Sequence, residues 1–276
     1  MDKADLHVHT RASDGDLSPG EIVRLAGKRE LLAVAITDHD TIIGAPEGLQ
    51  AGSELNVNVI PGIEISAVYD PGTLHMLGYF GRFPSGLEDD LEKIQKGRLD
   101  RFPKIIERLN SIGLDVSVED VSRIAGEAQI GRPHIAKALI KKGYVKDFDD
   151  AFEKYLGKGK PAYVEKEKLT WVEAITLIKR HKGISVLAHP FTLELKGRDL
   201  KNLVNSMKEA GLNGIEVYYP EHTPEQTKLY KAIAREEGLI LTGGSDFHTP
   251  DRGASLGDCG IGEDSLKIIL NHLNYK

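Results

Sequence analysis

Short apolar segments alternate with amphipathic segments along most of this chain of 276 residues, and this alternation limits the fold more than any other feature. The apolar segments have the length and the bounding residues of β-strands, and the amphipathic segments have helical periodicity. Gly183, Gly211 and Gly238 each end an amphipathic segment just before an apolar one, where glycine is a common helix C-cap. Because strands that alternate with helices form parallel sheets or barrels, we predict an α/β barrel whose chemistry lies at the C-terminal strand ends.

Helix-start signals support this assignment. Ser18 is followed by Pro19 and then by Glu21, which is a capping-box pattern, and the same pattern recurs from Thr223. The predicted strands are Ala4–His9, Leu32–Thr37, Val57–Ile63, Ile184–Ala188, Gly214–Tyr218 and Leu239–Thr242. The predicted helices are Ser18–Arg29, Trp171–His181, Leu200–Ala210, Pro224–Glu237 and Ser265–Leu273.

One block, from Leu87 to about Lys168, breaks the alternation and contains helical patterns only. We predict that residues 1–87 and 169–276 form the barrel and that residues 88–168 form a helical insertion capping the barrel mouth. Pro103 must lie in the first turn of its helix or kink it. Residues 98–168 carry 15 Lys and Arg against 12 Asp and Glu, a net charge of +3. That charge suits a phosphorylated substrate, although ordinary scatter over a solvated helical surface would also give it. The helices predicted in this block are Arg98–Ser111, Val118–Ala125, Arg132–Lys142 and Phe148–Leu156.

The composition is that of an ordinary globular protein. The net charge of −6 gives no indication of a strongly nucleic-acid-binding surface, and we expect no sequence-specific DNA binding. A single cysteine, Cys259, excludes an intrachain disulfide and fits a reducing cytoplasm. No apolar run approaches the roughly 20 residues of a transmembrane helix, and no secretory signal is evident at the N-terminus, so we expect no membrane association.

Histidines and carboxylates collect at the strand ends. His7 and His9 lie one residue apart in the first strand, so the period of two places both side chains on the same face. On its own, this pair fits two half-buried histidines as well as a metal site. Six of the ten histidines, however, fall at or near strand ends beside several carboxylates. The strand-end residues of these types are His7, His9, Asp14, His39, Glu64, His75, His189, Asp246 and His248.

Each residue of this set has an ordinary alternative when it is considered alone. His75 in its apolar frame could be a hydrogen-bonded core histidine, Asp14 before a glycine could be a turn residue, and Asp38 could cap a loop. Together they indicate a metal site, because imidazole and carboxylate ligands suit Zn²⁺, Mn²⁺ and Fe²⁺. Glu64, flanked by apolar residues, is expected to be buried and therefore to need a partner. About nine ligands exceed the capacity of one ion, so we expect two or three divalent ions.

The order of these motifs, HxH, TDHD, a strand-end Glu, a His, AHP and SDFH, resembles the PHP (polymerase and histidinol phosphatase) family from Ala4 to about Leu256. The resemblance implies a distorted (β/α)₇ TIM-like barrel around a trinuclear metal site. It implies that His7, His9, Glu64 and Asp246 hold one ion. It also implies a second ion on Glu64, His75 and His189, and a third on Asp14, His39 and His248.

The insertion resembles the ribonuclease AM branch of this family, which comprises 3′,5′-nucleoside bisphosphate phosphatases and 5′–3′ exoribonucleases that act on short RNA. The segments that carry this resemblance include Arg98-Leu99-Asp100-Arg101, Gly131-Arg132-Pro133-His134 and the run from Phe152 to Val164. The resemblance implies a metal-dependent phosphoesterase whose substrate is a phosphorylated nucleotide or short RNA. Two alternatives stay open, namely a small-molecule phosphatase such as a histidinol-phosphate phosphatase, and a non-catalytic PHP module.

Four residues are candidates for contact with substrate. Asp246 could orient or deprotonate the nucleophile, and His134 or His222 could protonate the leaving oxygen. Arg132 offers a bidentate fork for phosphate, and His134 and His222 could also bind substrate. The alternative for Arg132 and His134 is hydrogen bonding at a helix start.

Overall fold

The structure is a computed structural model that describes residues 3–126, 130–165, 168–251 and 253–275, without the side chains of residues 93–100. The side chains of the Arg98-Leu99-Asp100 motif therefore lie outside the described residues. The strands are β1 (Ala4–Val8), β2 (Ala33–Ile36), β3 (Val59–Val68), β4 (Leu74–Tyr79), β5 (Leu169–Thr170), β6 (Ile184–Leu187), β7 (Gly214–Tyr218) and β8 (Ile240–Gly243).

The helices follow the strands for most of the chain. Within the described residues, five of them begin with a capping box or a side-chain cap from Ser, Thr or Asp, and the caps at Ser18 and Thr223 confirm the two predicted from the sequence. The helices are α1 (Pro19–Lys28), α2 (Ala45–Leu55), α3 (Leu87–Ser111), α4 (Val118–Ala125), α5 (Arg132–Lys141), α6 (Phe148–Ala151), α7 (Trp171–Arg180), α8 (Gly197–Ala210), α9 (Pro224–Glu237) and α10 (Glu263–His272). Short π and 3₁₀ turns occupy Phe152–Leu156 and Pro190–Leu193.

Seven strands form a nearly closed barrel in the order β1-β2-β3-β4-β6-β7-β8, which confirms the predicted α/β barrel. Most neighbours are parallel, but β4 runs antiparallel to both β3 and β6. A bridge between Val8 and Phe247 joins the two edges, and the His9 N–H donates to the Phe247 carbonyl at 2.9 Å. The strand β3 is the longest, with 10 residues, and pairs with β2, β4 and β5.

Two elements of the barrel were absent from the sequence predictions. The helix α2 contains Gly48 and Gly52, which lower helix propensity. A Cβ at Gly48 would meet the end of the Ile36 side chain, and one at Gly52 would lie 2.6 Å from Val59 and 2.7 Å from the Val57 carbonyl oxygen, so close packing on the sheet requires glycine at position 52 above all. The strand β4 follows β3 as a hairpin without an intervening helix, and it therefore does not fit the β-α alternation.

The end of β3 was also predicted too early. The strand continues beyond Ile63 to Val68 because β4 pairs with it from Gly62 to Ala67. Glu64 therefore lies inside a strand rather than after one.

The chain divides into two compact units, one of residues 1–90 with 169–276 and the other of residues 91–168. The second unit has its own apolar core, to which Leu109, Val121, Leu139 and Leu156 belong. The helix α3 begins at Leu87, so Pro103 lies in its interior and not in its first turn. Its early start is favoured by buried Leu87 and by an acidic first turn, which complements the helix dipole. The position of this unit over the barrel mouth stays a prediction.

No helix within the described parts of the chain is long and apolar enough to cross a bilayer.

Candidate metal centre

Eight side chains from distant parts of the sequence converge around Glu64, which is 1% exposed, and form with it a cluster of nine. Five imidazoles lie within 3.4 Å of its carboxylate oxygens. On Oε2 the contacts are His39 Nδ1 at 2.9 Å, His9 Nε2 at 3.2 Å and His7 Nε2 at 3.4 Å. On Oε1 they are His75 Nδ1 at 2.8 Å and His189 Nε2 at 2.9 Å.

Two further carboxylates complete the cluster. Asp246 Oδ1 lies 3.0 Å from His9 Nε2 and 3.3 Å from His7 Nε2. Asp14 Oδ1 lies 3.4 Å from His248 Nε2 and 3.6 Å from His9 Nδ1. The rings of His9 and His248 are stacked with centroids 4.1 Å apart. All nine residues proposed as ligands from the sequence therefore lie in one cluster.

The strand order explains why these residues meet. His7 is in β1 and His9 follows it, and the parallel strands β2, β6 and β8 bring His39, His189 and Asp246 to the same end of the barrel. His75 lies near the start of a strand rather than at its end, because β4 runs antiparallel to its neighbours. Its carbonyl accepts the N–H of Ala188 at 3.1 Å.

The backbone is strained or tightly packed at several of these positions. His189 has φ = 22° and Asp246 has φ = 52°, which are unfavourable for residues with a side chain. At Gly244 a Cβ would lie 2.4 Å from the backbone nitrogen of His7, so only glycine fits beside β1. Such strain is typical of positions where the chain fixes functional groups.

Several ligand-type atoms in the cluster are buried and have no hydrogen-bond partner among the residues that the structure describes. Buried polar atoms are normally satisfied, so this many unsatisfied atoms at one point requires an explanation. Three overlapping groups have donor atoms within 4.8 Å of one another: His7, His9, Glu64 and Asp246; His9, Asp14, His39 and His248; and His39, Glu64 and His75. The nitrogen and oxygen donors suit divalent ions of the zinc, manganese and iron type. The unpartnered atoms are His7 Nε2, His9 Nδ1, His9 Nε2, His39 Nδ1, Glu64 Oε2 and Asp246 Oδ1.

The close packing of imidazoles and carboxylates shifts the pKa values of the residues in the cluster. Burial alone would lower the pKa of His9, but the close carboxylates of Asp246 and Glu64 outweigh it and raise that pKa to about 10. Burial would raise the pKa of Glu64, yet the charges of His39 and His75 hold it well below its ordinary value. For His75, burial prevails over the attraction of Glu64 and lowers the pKa to about 4. The carboxylates of Glu64 and Asp246 thus stay ionised, which is the state in which a carboxylate binds a metal ion.

The grouping differs in three respects from the ligand sets that the resemblance implies. His9 joins Asp14, His39 and His248 as well as His7, Glu64 and Asp246. His39 lies 2.9 Å from Glu64 and so approaches the His75 set too. His189, which is absent from the three groups, lies 3.3 Å from His75 Nδ1. The assignment of ligands to individual ions stays a prediction.

Several residues that hold the cluster were missed as site residues by the sequence analysis. Glu216 is fully buried in β7 and lies 3.1 Å from His7 Nδ1, and its signal was a charged residue inside an apolar strand. Asp5 accepts the N–H and the hydroxyl of Ser245 at 2.9 and 2.6 Å. Tyr219 donates its hydroxyl to Asp246 Oδ2 at 2.8 Å.

The other two aspartates of the TDHD motif hold loops. Asp38 accepts the N–H and the hydroxyl of Thr10 at 2.8 and 2.7 Å, as the loop-capping alternative predicts. Asp40 accepts the N–H of Ser66 at 2.8 Å. The two aspartates therefore tie the segment around His39 to Thr10 on one side and to β3 on the other.

Arg132 and His134 lie in the unit of residues 91–168. His134 is buried, and its Nδ1 accepts the N–H of Gly131 at 3.0 Å, which is the helix-start hydrogen bond of the alternative interpretation. Arg132 Nη1 donates to the Leu156 carbonyl at 3.0 Å. Its guanidinium lies 5.4 Å from the Phe152 ring and 5.7 Å from the Tyr163 ring.

His222 lies in the barrel unit, in the loop after β7. Its Nδ1 is 2.9 Å from the Val217 carbonyl, and its ring lies 5.2 Å from that of Tyr219. Since a carbonyl only accepts hydrogen bonds, Nδ1 carries the proton of the neutral ring. Burial lowers the pKa of His222. Nε2 is therefore a lone-pair acceptor.

The profile of the PHP domain matches residues 5–259. The chain belongs to the PHP family. This match spans all nine residues of the cluster, so the order of motifs noted in the sequence and the family membership agree. A PHP-like barrel is therefore the architecture in which the cluster is placed.

Individual relatives of this PHP chain cover nearly its full length. The 3′,5′-nucleoside bisphosphate phosphatase of Chromobacterium violaceum is 33% identical over 267 residues, which are 96% of this chain and 93% of the relative. The 5′-3′ exoribonuclease Rnm of Escherichia coli is 36% identical over 250 residues, 89% and 85% of the two chains. A solved structure from Bifidobacterium adolescentis, named as a candidate metal-dependent phosphoesterase, superimposes with a TM-score of 0.89 at 31% identity and covers 98% of this chain and 96% of its own.

Proposed function

We propose that this protein is a metal-dependent phosphoesterase that hydrolyses nucleotide phosphoesters. Its substrates are 3′,5′-nucleoside bisphosphates such as 3′-phosphoadenosine 5′-phosphate (pAp), short RNA degraded from the 5′ end, or both. The observation that carries the proposal is the cluster of nine imidazole and carboxylate side chains that has the buried Glu64 at its centre. The names of the two relatives, a bisphosphate phosphatase and an exoribonuclease, support the choice of nucleotide substrates.

The residues fit a site for two or three divalent ions, for which we propose Mn²⁺, Fe²⁺ or Zn²⁺. His7, His9, Glu64 and Asp246 would hold one of them. Divalent ions at such a site lower the pKa of a bound water and neutralise charge on the phosphoryl oxygens. The further ligands would be Glu64, His75 and His189 for a second ion, and Asp14, His39 and His248 for a third.

Asp246 is the proposed group for orienting or deprotonating the attacking water. Its Oδ1 faces His7 and His9, and its Oδ2 accepts the hydroxyl of Tyr219. Tyr219 thus fixes the plane of the carboxylate. Because the charges of His7 and His248 hold the pKa of Asp246 well below its ordinary value despite burial, its carboxylate is ionised and can take a hydrogen bond from water.

The two histidines suggested for protonation of the leaving oxygen differ in tautomer. The lone pair on His222 Nε2 favours substrate binding as an acceptor over proton donation. In His134, Nδ1 accepts a hydrogen bond, so the neutral ring carries its proton on Nε2. We propose His134 as the donor and Arg132 beside it as the phosphate-binding side chain, both contributed by the insertion.

An assay of purified enzyme tests this function. Hydrolysis of pAp, of 5′-phosphorylated oligoribonucleotides and of histidinol phosphate should be measured beside elemental analysis of the same preparation. We expect release of phosphate or mononucleotides from the first two substrates, and its loss after exhaustive chelation. Preference for histidinol phosphate would support the small-molecule phosphatase instead, and inactivity on all three with bound metal would support a non-catalytic module. A reducing cytoplasmic location, proposed from the single Cys259, stays a prediction.

A further inference from the structure

The loop that follows β2 carries the cluster residue His39 and is held by a carboxylate from outside the barrel strands. Glu88, in the first turn of α3, accepts the hydroxyl of Thr41 on Oε1 at 2.9 Å. Its Oε2 accepts the N–H of Ile42, also at 2.9 Å. Both loop residues are buried. Glu88 therefore fixes the backbone two and three positions after a metal-type ligand.

His39 depends on such anchors because the backbone beside it is strained. Asp40 has φ = 53°, a conformation that is unfavourable for a residue with a side chain and persists where surrounding contacts impose it. On the preceding side, the Asp38 carbonyl accepts the N–H of Glu64 at 3.1 Å. The Asp40 N–H in turn donates to the Glu64 carbonyl at 2.9 Å. Glu88 supplies an anchor on the following side, so we expect the position of His39 to depend on it.

The first turn of α3 is itself held in place on its other side. Asp90 Oδ2 lies 2.7 Å from Arg180 Nη2 and 2.7 Å from His181 Nε2, at the end of α7. The turn that carries Glu88 is thus fixed between α7 and the loop after β2. Beyond this turn, α3 continues into the second unit. A single helix therefore joins the insertion to a contact that holds the loop of a cluster residue.

From these contacts we propose that Glu88 is a positioning residue that couples α3, and through it the insertion, to the metal ligand His39. An ion that uses His39 binds more tightly when Glu88 holds the loop. Because linked equilibria are reciprocal, the same ion favours the conformation of α3 that brings Glu88 to the loop. The inference rests on the proposed metal-dependent function, and it gives Glu88 a role in holding the third proposed ion.

Binding of Mn²⁺ tests the inference apart from catalysis. The Mn²⁺-loaded enzyme should be dialysed against a series of chelator-buffered Mn²⁺ concentrations, and elemental analysis should then count the ions that remain. The variants are Glu88→Ala and Thr41→Val, of which the second removes the hydroxyl at this contact and keeps the size of the side chain. Asp89→Asn, at an exposed carboxylate in the same turn of α3, removes one charge near the helix start and is the matched control.

We expect Glu88→Ala to weaken binding of one ion by roughly 10- to 100-fold, the usual effect of removing a partner that orients a metal ligand. The first proposed ion does not use His39 and should stay bound. Thr41→Val should have a smaller effect, because it leaves the bond to Ile42. The double variant should lose little more than Glu88→Ala, since both changes act through one contact. Asp89→Asn should bind as the wild type does.

Two further measurements separate positioning from folding. At saturating Mn²⁺, kcat of Glu88→Ala for pAp should return towards the wild-type value with KM unchanged. Hydrogen exchange, followed by mass spectrometry, should show that Mn²⁺ slows exchange in peptides of residues 38–44 and 87–92 of the wild type. In Glu88→Ala the effect of Mn²⁺ on residues 87–92 should disappear. A thermal melt of each variant checks that it is folded.

The outcomes distinguish this inference from the function on which it rests. Wild-type Mn²⁺ binding in Glu88→Ala and Thr41→Val, with hydrolysis of pAp intact, would overturn the positioning role and leave the phosphoesterase in place. Selective loss of one ion in Glu88→Ala, when the wild type hydrolyses neither pAp nor RNA, would overturn the function and keep the positioning role. Loss of all ions together with thermal stability in both variants would assign the contact to folding and overturn the inference. An equal effect of Asp89→Asn would overturn it too, because charge at the helix start would then be the cause.

Discussion

Glu216 Oε1 lies 3.1 Å from His7 Nδ1, and both side chains are fully buried. A carboxylate only accepts hydrogen bonds, so Nδ1 carries a proton and the lone pair of the neutral ring is on Nε2, the atom that faces Glu64 and Asp246. Glu216 Oε2 also accepts the backbone N–H of His189 at 2.7 Å. One carboxylate in β7 therefore orients two residues of the cluster, and such partners commonly decide how well a site holds its metal.

We expect Glu216→Gln to lower metal affinity or turnover by roughly 10- to 100-fold, the usual effect of removing a carboxylate partner from a ligating histidine. Competition with a chelator and elemental analysis measure the affinity, and circular dichroism checks the fold. Glu221→Gln, at an exposed carboxylate a few residues further along, is the matched control. Wild-type metal content and rate in Glu216→Gln would mean that His7 keeps its orientation without this contact.

We expect Glu64→Gln to remove metal and nearly all turnover. Its carboxylate contacts five imidazoles, and an amide would offer them one acceptor and no charge. Elemental analysis and initial rates on pAp measure both effects, with Glu54→Gln on the exposed surface of α2 as the control. Near-normal turnover with full metal occupancy would contradict a bridging role.

We expect Arg132→Ala to raise KM for a nucleotide far more than it changes metal content. A charge-assisted hydrogen bond is worth about 1.5–3 kcal/mol, which corresponds to roughly 10- to 100-fold in KM. A bisphosphate should lose more than a monophosphate. Because Arg132 also binds the Leu156 carbonyl, a thermal melt must accompany the kinetics, and Arg123→Ala in the same unit is the control. Unchanged kinetics would assign Arg132 to the start of α5 alone.

We expect Lys142→Gln to destabilise the protein slightly at neutral pH and less at acidic pH. Lys142 Nζ lies 2.6 Å from Asp120 Oδ2, and this contact, followed by the Ser117 N–H, lowers the pKa of Asp120 to about 2. A carboxyl whose folded pKa lies below its ordinary 3.8 adds stability above that pH and loses it as the pH falls towards 2. The difference in urea midpoint between wild type and variant should stay flat from pH 7 to 5 and shrink below 4. A constant difference down to the lowest pH at which both fold would show that another contact of Lys142 causes the effect.

The parts of the fold that follow local rules were predictable from sequence. Pro224–Glu237, with its capping box and terminal glycine, is a helix with the predicted bounds, and Gly214–Tyr218 is a strand with the predicted bounds. The missed elements depend on partners far away in sequence. The reason for the glycines of α2 is evident only from their packing against Ile36 and Val59. The strand β4 forms because β3 and β6 pair with it on either side.

The same distinction applies to the cluster. Residues such as His7 and His9 could be predicted because a concentration of histidines and carboxylates at strand ends is typical of a metal site. The family resemblance then assigned them to particular ions. Glu216 was missed because its partner His7 lies two strands away in the barrel and 209 positions away along the chain. The role of Asp38 could not be decided from the sequence, because a carboxylate in this position can either cap a loop or bind a cation. Only the contact with Thr10 in the structure shows that it caps a loop.

The position of Glu64 within β3, the strand that pairs with three others, has a thermodynamic consequence. The unfolded chain cannot bring together ligands that are spread from residue 7 to residue 248, so ions that bind the cluster bind the folded state only. By mass action, the melting temperature of the barrel should rise with the logarithm of the free ion concentration once that exceeds the dissociation constant. A chelator would then act on this protein as a denaturant. A shortage of metal in a cell would lower the amount of folded protein as well as the rate of hydrolysis.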